Sequence, residues 1–385
     1  MLFRYLGAQF FHSFHSEGQP MKRIPLHFLI CSTLFLAPQV RTQGKFSGYM
    51  FGDYYYNIQR DSSFGSLGNT AAESGPKSYQ AFQFRRIYFT YDNTISEKFS
   101  SRFRLEADQV ARTSDSKISV FVKEAYLKWK GIFNGSDFFF GIHPTPAFGV
   151  SEDAWGYRSL EKTIMDLRGI VPSRDLGVAL KGKFDEDARF NYWVMVGNNS
   201  GNRPETDKYK RFYLLFHVKP VEGMQFTVYG DYADRGNITD PYSTSTPKQS
   251  VSNGSFTTGA FVGYEQAGVF SVGIEGFLQV RQNGFNNTAA GSLDDLKGSG
   301  VSLFGSVSVQ SDLDIVGRYD FYDPNTDSNV KGDARHFILW GVAWKPDKNV
   351  SIMPNLQVET YQSVQNGRSI DPSVTGRLTF FYTFL

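Results

Sequence analysis

Two features of this 385-residue chain constrain its fold most: a two-residue alternation of apolar and polar side chains that recurs to the C-terminus, and connectors that take turns being short and long. Over 99–108, Phe99, Ser101, Phe103, Leu105 and Ala107 share one face of an extended segment. Ser100, Arg102, Arg104, Glu106 and Asp108 share the other. Similar segments fall at 46–59, 79–92, 98–108, 117–130, 136–142, 174–183, 188–197 and 208–219, and then at 223–233, 256–266, 268–281, 299–310, 312–323, 334–345, 348–360 and 373–385. Most reach the roughly 9–11 residues that a tilted strand needs to cross a bilayer, and an even strand number is the rule for single-chain barrels.

The connectors separate a barrel from a soluble sandwich. Asp185-Glu186-Asp187, Val221-Glu222-Gly223, Ala267-Gly268, Ser311-Asp312 and Pro346-Asp347-Lys348 are short. Between them lie long ones at about 60–78, 109–116, 143–173, 198–207, 234–255, 282–298, 324–333 and 361–372, rich in Asn, Gly, Ser and Asp. Tight turns at one end and long polar loops at the other are the arrangement of outer-membrane barrels, with the long loops extracellular. The expected fold is an all-β transmembrane antiparallel barrel of about sixteen strands. Aromatics make up 16% of the chain, with 36 Phe and 21 Tyr. Tyr54, Tyr55 and Tyr56, Phe138 to Phe140, and Trp340 with Trp344 are expected near strand ends, where amphipathic rings meet headgroups. Phe380, Tyr382 and Phe384 alternate in the last strand, as barrel C-termini do, although Leu385 follows the final Phe.

The one long apolar run lies near the N-terminus. Met21-Lys22-Arg23 precedes Ile24 to Ala37, a stretch too short for a comfortable transmembrane helix and right for the core of a signal peptide. The expected division is a mis-called extension over 1–20, a signal peptide over 21–44 cleaved after Gly44, and a barrel over 45–385; a membrane anchor is the rival reading. Cys31, the single cysteine, lies inside the apolar run, so the mature chain would contain no thiolate for metal binding or catalysis. With 40 Lys+Arg against 38 Asp+Glu, no general basic field points to nucleic acid.

Several local patterns in one order across 80–202 carry a resemblance. They are Phe84-Arg85-Arg86, Lys123-Glu124-Ala125-Tyr126-Leu127, Gly141-Ile142-His143-Pro144-Thr145-Pro146-Ala147-Phe148-Gly149, Arg174-Asp175-Leu176-Gly177 and Asn198-Asn199-Ser200-Gly201. Together they resemble the phosphate-selective porin O and P family of Gram-negative outer membranes. The resemblance implies a sixteen-stranded, trimeric, water-filled channel narrowed by an inward loop. The third long loop, about 143–173, is the longest and is where such a constriction belongs. Leu160, Ile164 and Leu167 within it are at near-helical spacing, which predicts a short helix between Arg158 and Arg168.

Charge at the narrowest point sets selectivity in a pore. If the third loop folds inward, Arg158, Lys162 and Arg168 face the lumen together with Glu152, Asp153, Glu161 and Asp166. Arg102, Arg104 and Lys123 add a basic wall that Glu106, Asp108 and Glu124 offset. No dense Arg/Lys ladder free of carboxylates is visible, so phosphate selectivity is not carried over. The expected function is passive diffusion of small hydrophilic solutes or ions, small anions included, with weak selectivity. The expected partners beyond solute are outer-membrane lipid, lipopolysaccharide and copies of the chain in a homotrimer. The alternative is a structural or adhesive barrel that binds through its external loops. No cofactor, metal or enzymatic activity is expected. His143, His217 and His336 sit in no nucleophile motif, and Asp323-Pro324-Asn325-Thr326-Asp327 lacks the Gly and Glu of a calcium loop. His217 lies opposite Phe212, Leu214 and Phe216 and should line the lumen.

Overall fold

The computed structural model describes residues 44–64, 75–327, 330–363 and 367–385. The extension over 1–20 and the signal peptide over 21–44 lie outside them, apart from Gly44, where the first strand begins. Sixteen antiparallel strands close into one barrel: β1 (Gly44–Gln59), β2 (Gln80–Thr94), β3 (Phe99–Arg112), β4 (Ile118–Phe133), β5 (Ser136–Pro144), β6 (Arg174–Lys183), β7 (Phe190–Gly197), β8 (Arg211–Val218), β9 (Met224–Ala233), β12 (Ser255–Gln266), β13 (Phe270–Asn287), β14 (Ser292–Gln310), β15 (Leu313–Asp323), β16 (Arg335–Asp347), β17 (Val350–Tyr361) and β18 (Ser373–Thr383). The two remaining strands, β10 (Asn237–Thr239) and β11 (Ser250–Ser252), form a separate hairpin between β9 and β12. Each barrel strand pairs with its neighbour in sequence order, and β1 closes on β18 from Tyr49↔Thr383 to Gln59↔Val374. Closure leaves no unpaired edge, which a sheet in hydrocarbon requires.

The alternation sorts side chains as the sequence pattern predicts. Phe103, Leu214, Phe216, Ile274, Leu303 and Trp340 point outward and are exposed. Thr227, Thr257, Ser302, Asp320, Asn355 and Thr379 point inward and are buried. A continuous exposed apolar face around a polar interior is stable only against lipid tails. Among the described residues no helix is long and apolar enough to cross a membrane.

The strand register is irregular at several places, and two of these bring extra charge to the inner face. In β2, Phe51 pairs with Arg86 and Gly52 with Phe84, so Arg85 is an extra residue. In β4, Arg104 pairs with Glu124 and Leu105 with Val122, so Lys123 is extra. Each β-bulge turns two consecutive charged side chains to the interior, Arg85 with Arg86 and Lys123 with Glu124. The glycine facing the first bulge is needed there. A Cβ on Gly52 would sit 2.6 Å from the Gln83 carbonyl oxygen.

Other departures have a common cause. The region 282–298 was expected as a loop, yet β13 continues to Asn287 and β14 starts at Ser292. The hairpin β10–β11 likewise lies in the expected loop 234–255, and β3 runs on to Arg112. Hairpins that extend beyond the apolar belt have water on both faces, so no period-two pattern marks them. Trp340 and the Tyr54–Tyr56 run also correct the aromatic reading. Trp340 lies in the middle of β16 opposite Gly317, and Tyr55 is buried inside while Tyr56 is exposed outside.

Candidate functional site

The connector from β5 to β6, residues 145–173 (loop L3), is folded into the barrel. It carries two helices, α1 (Gly149–Trp155) and α2 (Ile164–Leu167). Only α2 falls in the stretch expected to be helical. The signal for α1 was the buried pair Ser151 and Trp155, one turn apart, before a glycine. Gly156 ends α1 with φ of 68°, a left-handed cap that favours glycine.

One flank of L3 is apolar and glued to the wall. Phe148, Ile164, Met165 and Val171 pack on Ala179, Met195, Tyr213, Leu215, Tyr229 and Phe277 from β6 to β13. Trp155 and Leu160 pack on Phe261, Phe304, Phe337, Leu339 and Met353 from β12 to β17. Leu160 and Ile164 are fully buried, and each such side chain contributes about 1.5–3 kcal/mol to holding the loop. The inward positions of these strands are apolar for this reason, which is unusual for a lumen wall.

The other flank is charged and meets β1, β2 and β18. Arg158 donates from Nε to Glu152 at 2.7 Å, from Nη2 to Asp166 at 3.1 Å and from Nη1 to the Tyr88 hydroxyl of β2 at 3.3 Å. Arg85 donates to the carbonyl oxygens of Ser159 at 2.7 Å and Leu160 at 2.9 Å. It also lies 3.6 Å from Glu161 and 3.5 Å from Asp53, and Arg377 of β18 lies 3.6 Å from Glu161. Burial alone would raise the Glu161 carboxyl; Arg85, Arg377 and Lys162 more than reverse this and hold it at about 2. Burial would raise Asp166 too, and Arg158 and Lys162 bring it below the usual range. The Asp153 carboxyl, by contrast, is pushed up by partial burial and by Glu152.

Beside this flank, the wall from β2 to β6 is lined with guanidiniums and carboxylates. The bulges on β2 and β4 converge on Glu106 of β3, with Arg86 at 3.4 Å and Lys123 at 2.8 Å. Glu124 lies 3.1 Å from Arg104, 3.6 Å from Arg102 and 2.6 Å from Arg174. Arg102 also pairs with Asp92 at 2.6 Å. Within this ion-pair network five cationic side chains (Arg86, Arg102, Arg104, Lys123, Arg174) meet three carboxylates (Asp92, Glu106, Glu124). The charged flank of L3 faces this wall, with Arg158 bonded to Tyr88 of β2.

The residues expected at the constriction therefore divide. Arg158, Glu152 and Asp166 form the charged flank of L3, and Arg102 and Arg104 lie on the wall it faces. Lys162 is half-buried, with no carboxylate within 4 Å of its ammonium among the described residues, and its backbone carbonyl accepts from Arg318. Glu161 is consumed in anchoring the loop. Arg168 turns away to pair with Glu359 of β17 at 2.8 Å and to lie over Tyr322 of β15. Asp153 lines a cavity on the short-turn side of L3, together with Ala154 and Tyr157. The sequence reading did not place Arg85, Arg86, Arg174, Arg377 or Tyr88 in the lumen. For Arg85 and Arg86 the available signal was a phase slip: apolar Phe82 and Phe84 are followed at a three-residue interval by Ile87 and Phe89. His217 lies on the inner face, 3.1 Å from Gln225. The Asp323–Asp327 segment forms an Asx turn, with Asp323 accepting from the Asn325 amide and Asn325 from the Asp327 amide.

No family model and no curated protein matches the chain. Solved structures do. The outer membrane channel DcaP of Acinetobacter baumannii is similar with a TM-score of 0.63 at 13% identity, over 89% of this chain and 97% of that one. An anion-selective porin from Comamonas acidovorans is similar with a TM-score of 0.59 at 10% identity, over 89% and 100%. A trimer form of the outer membrane protein OmpT of Vibrio cholerae gives 0.55 at 11% identity, over 89% and 99%. The chain thus has the sixteen-strand barrel fold of Gram-negative outer-membrane porins.

Proposed function

We propose that the protein is an outer-membrane channel for passive diffusion of small hydrophilic solutes and ions. The observation that supports this best is the division of L3 into an apolar flank fixed to one side of the barrel and a charged flank facing the ionic wall of the other. A plug without a transport role has no need for a second, charged face. Selectivity is weak and leans to anions, because the β2–β6 wall carries more guanidinium and ammonium groups than carboxylates while L3 balances its own charges. The carboxylates among these groups argue against a site specific for phosphate, although the ordered motifs over 80–202 support kinship with the phosphate-selective porin family. The long loops lie outside the cell, the apolar belt contacts lipid and lipopolysaccharide, and the barrel assembles as a homotrimer, as the Vibrio protein does in its trimer form.

Purified protein in a planar bilayer tests the reading. Stepwise conductance with a reversal potential slightly toward chloride in a KCl gradient is expected. A protein that inserts without conducting would leave the adhesive barrel as the better account.

A further inference from the structure

A cavity of about 490 Å³ opens under L3 on the side of the short turns, where Glu265 and Val269 flank the β12–β13 turn. Half-buried aromatic rings make up much of its lining. Tyr49 of β1 and Phe381 of β18 lie with ring centroids 5.7 Å apart, and Tyr157 of L3 and Phe270 of β13 also line it. The charges around it do not cancel. Arg158 is shared between Glu152 and Asp166. The Lys345 ammonium is taken by Asp314, which also accepts from the Tyr157 hydroxyl and from Ser308 Oγ at 2.7 Å. Asp153 of α1 and Glu265 of β12 remain. Both line the cavity, both are exposed, and neither carboxylate has a counter-ion at ion-pair distance among the described residues. Lys181 of β6 acts on Asp153 only from farther away.

The cations of the lining are thus already paired, while two of its carboxylates are in surplus. An anion would meet those carboxylates and no free cation. A neutral solute could cover the rings but would gain nothing from the surplus charge. A small inorganic cation would match the carboxylates, yet its tight water shell would keep it off the rings. A cation whose charge is spread over alkyl groups satisfies both surfaces. Ring faces attract the diffuse positive charge, and the alkyl groups replace water on the rings. The size falls in the roughly 300–1,000 Å³ range of small-molecule sites. We propose that this cavity binds small organic cations of the quaternary or alkylated ammonium type. The anion lean of the β2–β6 wall does not extend to it, and the site belongs to the folded barrel whether or not that barrel conducts.

The test is equilibrium dialysis of radiolabelled choline against the detergent-solubilised barrel at constant ionic strength. Saturable binding is expected. Unlabelled choline should displace the label, whereas neither potassium nor the uncharged carbon isostere, with a tert-butyl group in place of trimethylammonium, should do so at equal concentration. Asp153→Asn and Glu265→Gln sit at exposed positions and keep the side-chain shapes. Each should raise the half-maximal choline concentration about threefold, and the two together about tenfold. Phe381→Leu keeps the bulk but removes a ring face and should raise it about twofold. Absence of saturable binding would overturn the site. Equal displacement by the isostere would reduce it to an apolar hollow, equal displacement by potassium to a general negative field, and unchanged affinity in the double variant would remove the carboxylates from it; each of these also overturns the proposal. Conductance in a bilayer decides the channel reading separately, since the dialysis needs no current.

Discussion

Arg158 of the inward loop donates a hydrogen bond to the Tyr88 hydroxyl of β2 at 3.3 Å, tying L3 to the wall opposite its apolar anchor. The same guanidinium neutralises Glu152 and Asp166. Removing it with Arg158→Ala takes away both the tie and the local positive charge. The single-channel step should grow, and the reversal potential should move toward the cation. An unchanged reversal potential would place Arg158 off the ion path.

Glu124 holds the opposite wall in balance, with three guanidiniums around one carboxylate. Glu124→Gln keeps the shape and releases one unit of positive charge to the lumen. A unit charge at about 4 Å in water is worth about 1 kcal/mol, so the chloride-to-potassium permeability ratio should rise by up to about fivefold. The gain should shrink between 0.1 M and 1 M salt as screening shortens its reach.

The pH response follows from Glu161. Its folded-state value of about 2 lies below the ordinary 4.5, so its pairing with Arg85 and Arg377 stabilises the inward loop above pH 4.5. That contribution is lost as pH falls from 4.5 toward 2. Conductance should therefore be steady from pH 8 to 5 and become irregular below about 4. Glu161→Gln should bring the irregular behaviour to neutral pH. Steady gating in that variant would show that L3 is held by its apolar flank alone.

Arg211 and Asp231 form a bidentate pair on the inner faces of β8 and β9, at 2.9 Å and 2.8 Å, and both are buried. Tyr229 also donates to Asp231 at 2.5 Å. Arg211→Ala strands the carboxylate and should cost about 3–5 kcal/mol. Urea unfolding of the solubilised barrel, followed by tryptophan emission, would register the loss as a lower midpoint. Arg189→Ala, at an exposed pair with Asp187 in a short turn, should shift the midpoint very little.

All sixteen barrel strands were legible from period two, because lipid outside and water inside impose opposite demands on alternate residues. What lay beyond the lipid was not. The extended end of the β13–β14 hairpin, around Asp294 and Lys297, has no apolar face to advertise a strand. The site was legible in part. Arg102 and Arg104 obey the alternation and pair with Asp92 and Glu124, whereas Arg168 was judged by its position in L3, and only the fold reveals Glu359 beside it. Lys123 and Glu124 could have been read together. Val120 and Val122 are followed at a three-residue interval by Ala125 and Leu127, the same slip that marks β2.

The two bulges have a consequence for how such a channel can diverge. Substituting a lumen residue changes one side chain for another, but a single-codon insertion at a bulge adds a charge outright. Beyond the insertion the alternation resumes in shifted phase, so Ile87, Phe89 and Tyr91 still face the lipid. The inner surface can thus gain ionic groups one codon at a time while the coat that the membrane selects stays intact.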